Sequence, residues 1–146
     1  MNAFMKIGNF FVKILLRSPL HGMIGRNTLL ISYVGRKSGK SYTTPTNYSQ
    51  EGKIVRIVSS RERVWWRNLC GGAYVTLRIR GENIHGRAEV FTDDDDVASK
   101  LNAYLQPSPK FAKYFNVRLD EKGLLNAEDI NQTAKNRVVV EVKIEV

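Results

Sequence analysis

The chain has 146 residues, of which 42% are apolar, so residues 1–146 are expected to form a single domain with one ordinary core. Its formal net charge of +9 is unevenly distributed: residues 1–50 contain seven Lys and Arg and no acid, whereas residues 87–146 contain nine Lys and Arg against eleven acids. A basic front half indicates an anionic partner, which would be a nucleic acid, an acidic membrane surface or a polyanionic small molecule.

Cysteine and histidine are scarce. The single cysteine, Cys70, excludes an internal disulfide framework, and the two histidines, His21 and His85, are too far apart for metal-ligand spacing. We therefore predict a protein of a reducing compartment, the cytoplasm, with no metal site.

The chain opens with an amphipathic pattern over about residues 4–18. Phe4, Ile7, Phe11 and Ile14 recur at helical spacing with lysines between them. The pattern predicts a basic helix that is too short and too charged to span a membrane. Two placements are compatible with it: the apolar face packs on the domain, or it makes a peripheral contact with an anionic membrane surface.

The most distinctive stretch is a polar turn at residues 35–41, rich in glycine and cations, between two strand-like segments at residues 29–34 and 42–48. Backbone N–H groups freed by the glycines, together with Arg36 and Lys37, would form a cradle for phosphate or carboxylate. The alternative is an ordinary exposed hairpin whose lysines keep the protein soluble.

This turn is similar to the phosphate loop of nucleotide hydrolases but does not match it. The spacing from Gly35 to Gly39-Lys40-Ser41 is one residue short. A strand-like segment with Pro45 also follows where that loop requires a helix. Nucleotide hydrolysis is therefore excluded.

Strands account for most of the remaining chain. Residues 54–58 follow the turn's second strand, and the three strands are predicted to form a meander. A Ser-x-x-Glu capping box at residues 59–62 predicts a short helix through Leu69, while Thr92 and Asn126 are the expected N-caps of two later helices. Three further strands are predicted at residues 74–80, 84–90 and 138–146. The fold class is therefore α+β, a six-stranded, mostly antiparallel closed or split β-barrel with peripheral helices.

No self-sufficient catalytic constellation is apparent in the sequence. There is no catalytic triad, no paired-carboxylate acid site and no dinucleotide fingerprint. Chemistry, if the protein performs any, would belong to a bound cofactor.

Three groups of residues, taken together, carry a resemblance to a known family. They are Gly35-Arg36-Lys37-Ser38-Gly39 after an apolar strand, then Thr44-Pro45 and Tyr48, then Trp65-Trp66-Arg67-Asn68-Leu69. In this combination the chain resembles the deazaflavin-dependent nitroreductase and quinone reductase family, over about residues 10–92. The resemblance implies the FMN-binding split-barrel fold and a cofactor, the deazaflavin coenzyme F-420, with a poly-glutamylated phosphate tail.

The resemblance also implies roles for individual residues. The coenzyme would be bound by Arg36, Lys37, Ser38 and Gly39 at its phosphate and tail, by Thr44 and Pro45 at the border of its ring, and by Trp65 as a wall of the pocket. Tyr104 and Tyr114 stand where the family often places substrate-side tyrosines, so they are the candidate catalytic residues.

The chain departs from the family pattern in two places. Tyr42 stands where many members have an arginine, and residues 60–64 replace a longer Ser-x-Gly-Gly loop. Part of the usual phosphate grip is therefore missing, and Ser60, Arg61 and Arg63 are the residues expected to supply it.

The function implied is an oxidoreductase that transfers a hydride from reduced F-420 to a quinone or nitro-type acceptor, commonly as a homodimer. Two alternatives use the same fold: an FMN-dependent oxidoreductase and a non-catalytic flavin or deazaflavin carrier. A third is a basic β-barrel that binds nucleic acid through Trp65, Trp66 and the neighbouring arginines.

Overall fold

The computed structural model describes residues 27–145, so the helix expected at about residues 4–18 lies outside the described part of the chain. The strands are β1 (Thr28–Val34), β2 (Ser41–Asn47), β3 (Ser49–Glu51), β4 (Ile54–Ser60), β5 (Ala73–Ile79), β6 (Glu82–Phe91) and β7 (Arg137–Ile144). The α-helices are α1 (Asp94–Leu105) and α2 (Ala127–Ala134). Two 3-10 helices complete the list: the tryptophan helix (Trp65–Leu69) and the aromatic helix (Pro109–Phe115).

The strands of the described chain form one antiparallel sheet in the order β2-β1-β5-β6-β7-β4-β3. The sheet curls until β2, at one edge, faces the end of β4 near the other edge. This confirms the predicted α+β split barrel. The strand count is seven rather than six, because the Tyr48 N–H donates to the carbonyl of Asn27 and the chain beyond it starts a separate short strand, β3.

The predicted three-stranded meander is wrong. β4 does not pair with β2; its long partner is β7, in register from Ile54↔Lys143 to Ser60↔Arg137. β2 pairs with β1 alone and contains Pro45, a residue confined to edge strands because it has no N–H to donate. The chain therefore crosses to the far side of the sheet between β2 and β4.

The alternation of buried and more exposed side chains along β4, and the burial of both faces of β7, show where the core lies. Val55 and Ile57 of β4 are fully buried, as are Val138, Val140 and Val142 of β7, and they face the inside of the curl with the tryptophan helix. Val139 points to the opposite face and is also buried, because α1 and α2 cover it there. The apolar run of β7 thus reflects burial on both faces.

The helix caps follow local sequence chemistry only in part. Asn126 caps α2 as predicted, accepting from the N–H of Asp129 at 2.9 Å. α1 is capped by Asp93 rather than by Thr92. The capping box at residues 59–62 does not form, since the tryptophan helix begins after Val64 without a side-chain cap. Within residues 27–145, no helix combines the length and hydropathy needed to cross a membrane.

The β6–β7 ladder should not tolerate a side chain at Gly86. A Cβ there would lie 2.7 Å from the carbonyl oxygen of Lys143 and 2.7 Å from Cγ1 of Val142. We expect Gly86→Ala to lower the free energy of unfolding by about 1–3 kcal/mol, because backbone must move to relieve the clash. Urea unfolding measures this, with Glu89→Ala, at an exposed position of the same strand, as the control. Equal stability of Gly86→Ala and the parent would contradict this register.

Candidate functional site

The polar turn between β1 and β2 closes on itself through its own backbone. The Gly35 N–H donates to the carbonyl of Lys40 at 2.8 Å, and the Gly39 N–H donates to the carbonyl of Gly35 at 2.9 Å. The Lys40 N–H donates to the Ser38 hydroxyl at 3.2 Å. Most of the backbone N–H groups expected to bind an anion therefore already donate hydrogen bonds within the protein. An anion at this turn would be bound mainly by side chains.

Those side chains are available. Arg36, Lys37 and Lys40 are exposed, and none of them takes part in an ion pair of the described residues. We call these three residues the cationic turn. An anionic ligand could meet it without first displacing a carboxylate.

Asn68 joins the cationic turn to the tryptophan helix. Its side-chain oxygen accepts from the Arg36 N–H at 3.1 Å, and its side-chain nitrogen donates to the carbonyl of Trp65 at 3.0 Å. Sequence reasoning quoted Asn68 in the family motif but gave it no role. Its amide fixes the position of the turn relative to Trp65.

Trp65 is one of three aromatic rings packed in a row. Its ring centroid lies 6.0 Å from that of Tyr33, which in turn lies 5.9 Å from that of Tyr42. The indole N–H of Trp65 donates to the hydroxyl of Ser59 at 3.1 Å. Trp66 is also buried, so neither tryptophan offers the exposed stacking surface that the nucleic-acid alternative requires.

A cleft of about 420 Å³ lies between the edge strand β2 and the end of β4. It is lined by Thr28, Thr44, Pro45, Thr46, Asn47, Val58, Ser59, Ser60, Arg63, Trp65, Tyr104, Tyr114, Phe115 and Arg137. Of the residues proposed from sequence, those brought together here are Thr44, Pro45, Ser60, Arg63, Trp65, Tyr104 and Tyr114. Sequence reasoning gave no site role to Ser59 and Arg137, which are separated by 78 positions and meet because β4 pairs with β7.

Four proposed residues, Arg36, Lys37, Ser38 and Gly39, lie outside this cleft. The turn that carries them precedes β2, and Thr44 in the cleft lies three positions after Ser41, at the end of the turn. At about 3.4 Å per residue along a strand, this distance is about 10 Å. Only an elongated ligand would touch both places.

Arg61 is also absent from the cleft lining and holds the fold together instead. Its Nη2 donates to the carbonyls of Thr92 and Arg137, each at 3.0 Å, and to that of Ala134 at 3.4 Å. Asp94 lies at 3.5 Å from the same nitrogen. The guanidinium therefore ties the end of β4 to the start of α1, the end of α2 and the start of β7.

The cleft is positively charged. Arg63 and Arg137 both line it, and no aspartate or glutamate is among its lining residues. Hydroxyl and amide groups supply the remaining polar atoms. Such a lining suits a ligand with an aromatic or apolar body and an anionic group.

The two candidate catalytic tyrosines differ in environment. Tyr104 packs edge-on against Phe115, with ring centroids 5.8 Å apart, and burial raises the pKa of its phenol from 10.0 to about 12. Tyr114 is half exposed at the rim. Near neutral pH Tyr104 therefore remains protonated, able to donate a hydrogen bond but poorly suited to losing its proton.

The comparisons with known proteins agree with this architecture. The family model described as F420H(2)-dependent quinone reductase matches residues 18–120. No curated protein matches the chain.

Solved structures of low sequence identity share the fold. The FAD and heme binding protein from Mycobacterium smegmatis is 16% identical with a TM-score of 0.53, over 82% of this chain and 61% of that one. The heme storage protein HutZ from Vibrio cholerae is 14% identical with a TM-score of 0.53, over 83% of each chain. A candidate pyridoxamine 5'-phosphate oxidase from Lactobacillus delbrueckii is 17% identical with a TM-score of 0.51, over 82% of this chain and 81% of that one. These likenesses show the fold alone.

Substitution of Arg61 should destabilise the protein, whereas substitution of Arg63 should not. We expect Arg61→Gln to lower the free energy of unfolding by about 2–3 kcal/mol, because three carbonyls, two of them in part-buried hydrogen bonds, lose a charged donor. Arg63→Gln, at an exposed position with no hydrogen bond or ion pair of its side chain among the described residues, should leave stability within about 0.5 kcal/mol. Urea unfolding of the two variants checks this, and equal stabilities would contradict the role given to Arg61.

Burial of Tyr104 predicts a pH dependence of stability. The folded-state pKa lies above the ordinary value of 10.0, so the stabilising effect is complete below pH 10 and is lost as the pH rises toward 12. When the pH is raised from 9 to 11, the free energy of unfolding should fall by about 1 kcal/mol less in Tyr104→Phe than in the parent. Tyr114→Phe, at the half-exposed position, should lose as much as the parent. Parallel losses in all three proteins would contradict the assignment.

Proposed function

The chain belongs to the F420H(2)-dependent quinone reductase family, and we propose that it is an oxidoreductase that transfers a hydride from reduced coenzyme F-420 to a quinone or nitro-type acceptor. One observation carries the proposal. An aromatic-walled cleft, with no carboxylate among its described lining residues, lies about 10 Å along β2 from the end of a turn whose three exposed cations form no ion pair within the described chain.

The residues present fit the coenzyme at both ends. Its flat ring matches the cleft beside Trp65, which Thr44 and Pro45 also line. Its anionic phosphate and glutamate tail matches the cationic turn. We therefore assign the tail to Arg36, Lys37, Ser38 and Gly39, with Lys40 as a further cation.

The departure at Tyr42 has a structural counterpart. The Tyr42 hydroxyl lies 3.0 Å from the Ser38 hydroxyl, and its ring stacks on Tyr33. Tyr42 thus supports the turn through these two contacts, whereas the arginine that many family members have at this position would add a charge. Arg61 does not restore that charge, because it does not line the cleft and its Nη2 donates to carbonyl groups elsewhere.

Thr44 is the residue of the chain best placed to orient a ligand in the cleft. Its hydroxyl lies 3.2 Å from the phenol oxygen of Tyr33, and the described residues provide that phenol with no other partner. Either hydroxyl can donate in this contact, and when the Tyr33 phenol donates, the hydroxyl hydrogen of Thr44 is left for an acceptor atom in the cleft. Tyr33, which was missed at the sequence level, is a positioning residue.

When bound, the reduced coenzyme supplies a hydride, and a quinone that receives it needs one further proton to become a hydroquinone. The chain contributes position and hydrogen bonding. Tyr104 keeps its proton and can donate a hydrogen bond to an acceptor oxygen, while Tyr114, at the rim, is in contact with solvent that can return a proton.

Removing the charges of the cationic turn tests the assignment. We expect Arg36→Ala with Lys37→Ala to raise the dissociation constant of F-420 about tenfold or more, since each charge-assisted contact contributes about 1.5–3 kcal/mol. The matched control is Lys53→Ala with Lys143→Ala, which removes two exposed cations elsewhere. Calorimetric titration measures both.

The parent, the turn variant and the control are also compared in a turnover assay. Anaerobic oxidation of reduced F-420 with menadione should proceed in the parent and in the control, and should require more coenzyme in the turn variant. Tight coenzyme binding without any turnover by the parent would reject the enzyme and leave a carrier. Equal affinity of the folded turn variant and the control would reject the cationic turn as the tail site.

A further inference from the structure

Two arginines, Arg63 and Arg137, share one wall of the cleft; we call them the arginine pair. Both are anchored on Ser60 at the end of β4. Arg137 is its partner residue across the β4–β7 ladder, and the Arg63 N–H donates to its carbonyl at 3.2 Å. The backbone thus holds two guanidinium-bearing residues at the same end of the cleft.

Within residues 27–145, neither arginine has an anionic partner. The ion pairs of the described residues include neither of them, and no carboxylate lines the cleft. The Arg137 guanidinium lies 5.2 Å from the centroid of Phe115, a contact that orients it without neutralising it. Like charges placed together in a cleft raise the local concentration of anions.

In a chain of hydrogen-bonded contacts, Trp65 lies between the cationic turn and the arginine pair. On one side, Asn68 connects the Trp65 backbone to the turn. On the other, the Trp65 indole bonds Ser59, which adjoins Ser60 and so the arginine pair. A coenzyme whose tail lies on the turn would therefore leave the arginine pair to a second molecule.

We propose that the arginine pair binds an anionic group on the electron acceptor. The acceptor class is then an aromatic quinone or nitro compound that carries a carboxylate, sulfonate or phosphate. A guanidinium matches these groups with two parallel hydrogen bonds, and Ser60 adds a hydroxyl. The inference rests on the proposed function and reassigns Ser60 and Arg63 from the coenzyme to the acceptor.

A pair of probes that differ in charge tests the proposal. The ratio of kcat/KM for 1,4-naphthoquinone-2-sulfonate to kcat/KM for menadione is measured in the parent, in Arg137→Gln and in Lys143→Gln. We expect Arg137→Gln to lower this ratio about tenfold or more. Lys143 is exposed on the same strand about 20 Å away, so Lys143→Gln should leave the ratio unchanged.

Two binding measurements separate this inference from the function on which it rests. The sulfonated quinone should quench the tryptophan fluorescence of the coenzyme-free parent more strongly than that of Arg137→Gln, while both proteins bind F-420 equally. An unchanged ratio, or a loss of F-420 affinity in Arg137→Gln, would overturn the inference, and the second result would assign the pair to the coenzyme. Failure of the parent to bind F-420, with quenching intact, would instead reject the proposed function.

Discussion

The pairing of β4 with β7 is the constraint on which the rest of the structure depends. Had β4 continued the β1–β2 hairpin, the sheet would have ended in a flat meander with no space beside β2. Its register with β7, from Ile54↔Lys143 to Ser60↔Arg137, instead places Ser59 and Ser60 across from the edge strand β2. The cleft is the gap between these two edges. Arg61 secures the arrangement, because its single guanidinium reaches carbonyls from three other elements.

The proposed site has three zones that differ in charge and polarity. Exposed cations of the turn lie at one end, the aromatic row of Tyr42, Tyr33 and Trp65 lies in the middle, and the arginine pair lies at the other end. None of the described residues that line the cleft is acidic, so the positive charge of the two arginines is left for ligands. The uneven charge along the sequence is consistent with this, although the C-terminal half contributes Arg137.

The features that the sequence predicted are those fixed by local chemistry. Alternation of apolar and polar residues predicted most strands, and two glycines with three cations predicted the turn. Asn126 was correctly predicted as the N-cap of α2. Features that depend on distant partners were not predictable. Arg61 was predicted to bind phosphate, and its structural role was not predictable because its carbonyl acceptors lie up to 76 positions away. Arg137 lines the cleft because β4 pairs with β7. The pattern of valines in the sequence does not determine which strands pair with each other.

The central claim is that the cleft and the cationic turn form one elongated site for a ring with an anionic tail. The most direct measurement compares the affinity of the purified protein for intact F-420 with its affinity for the same deazaflavin ring lacking phosphate and glutamates, with FMN titrated alongside. The account predicts that intact F-420 binds about tenfold or more tighter than the tail-free ring, and tighter than FMN. Equal affinities for the two deazaflavins, or a preference for FMN, would contradict it.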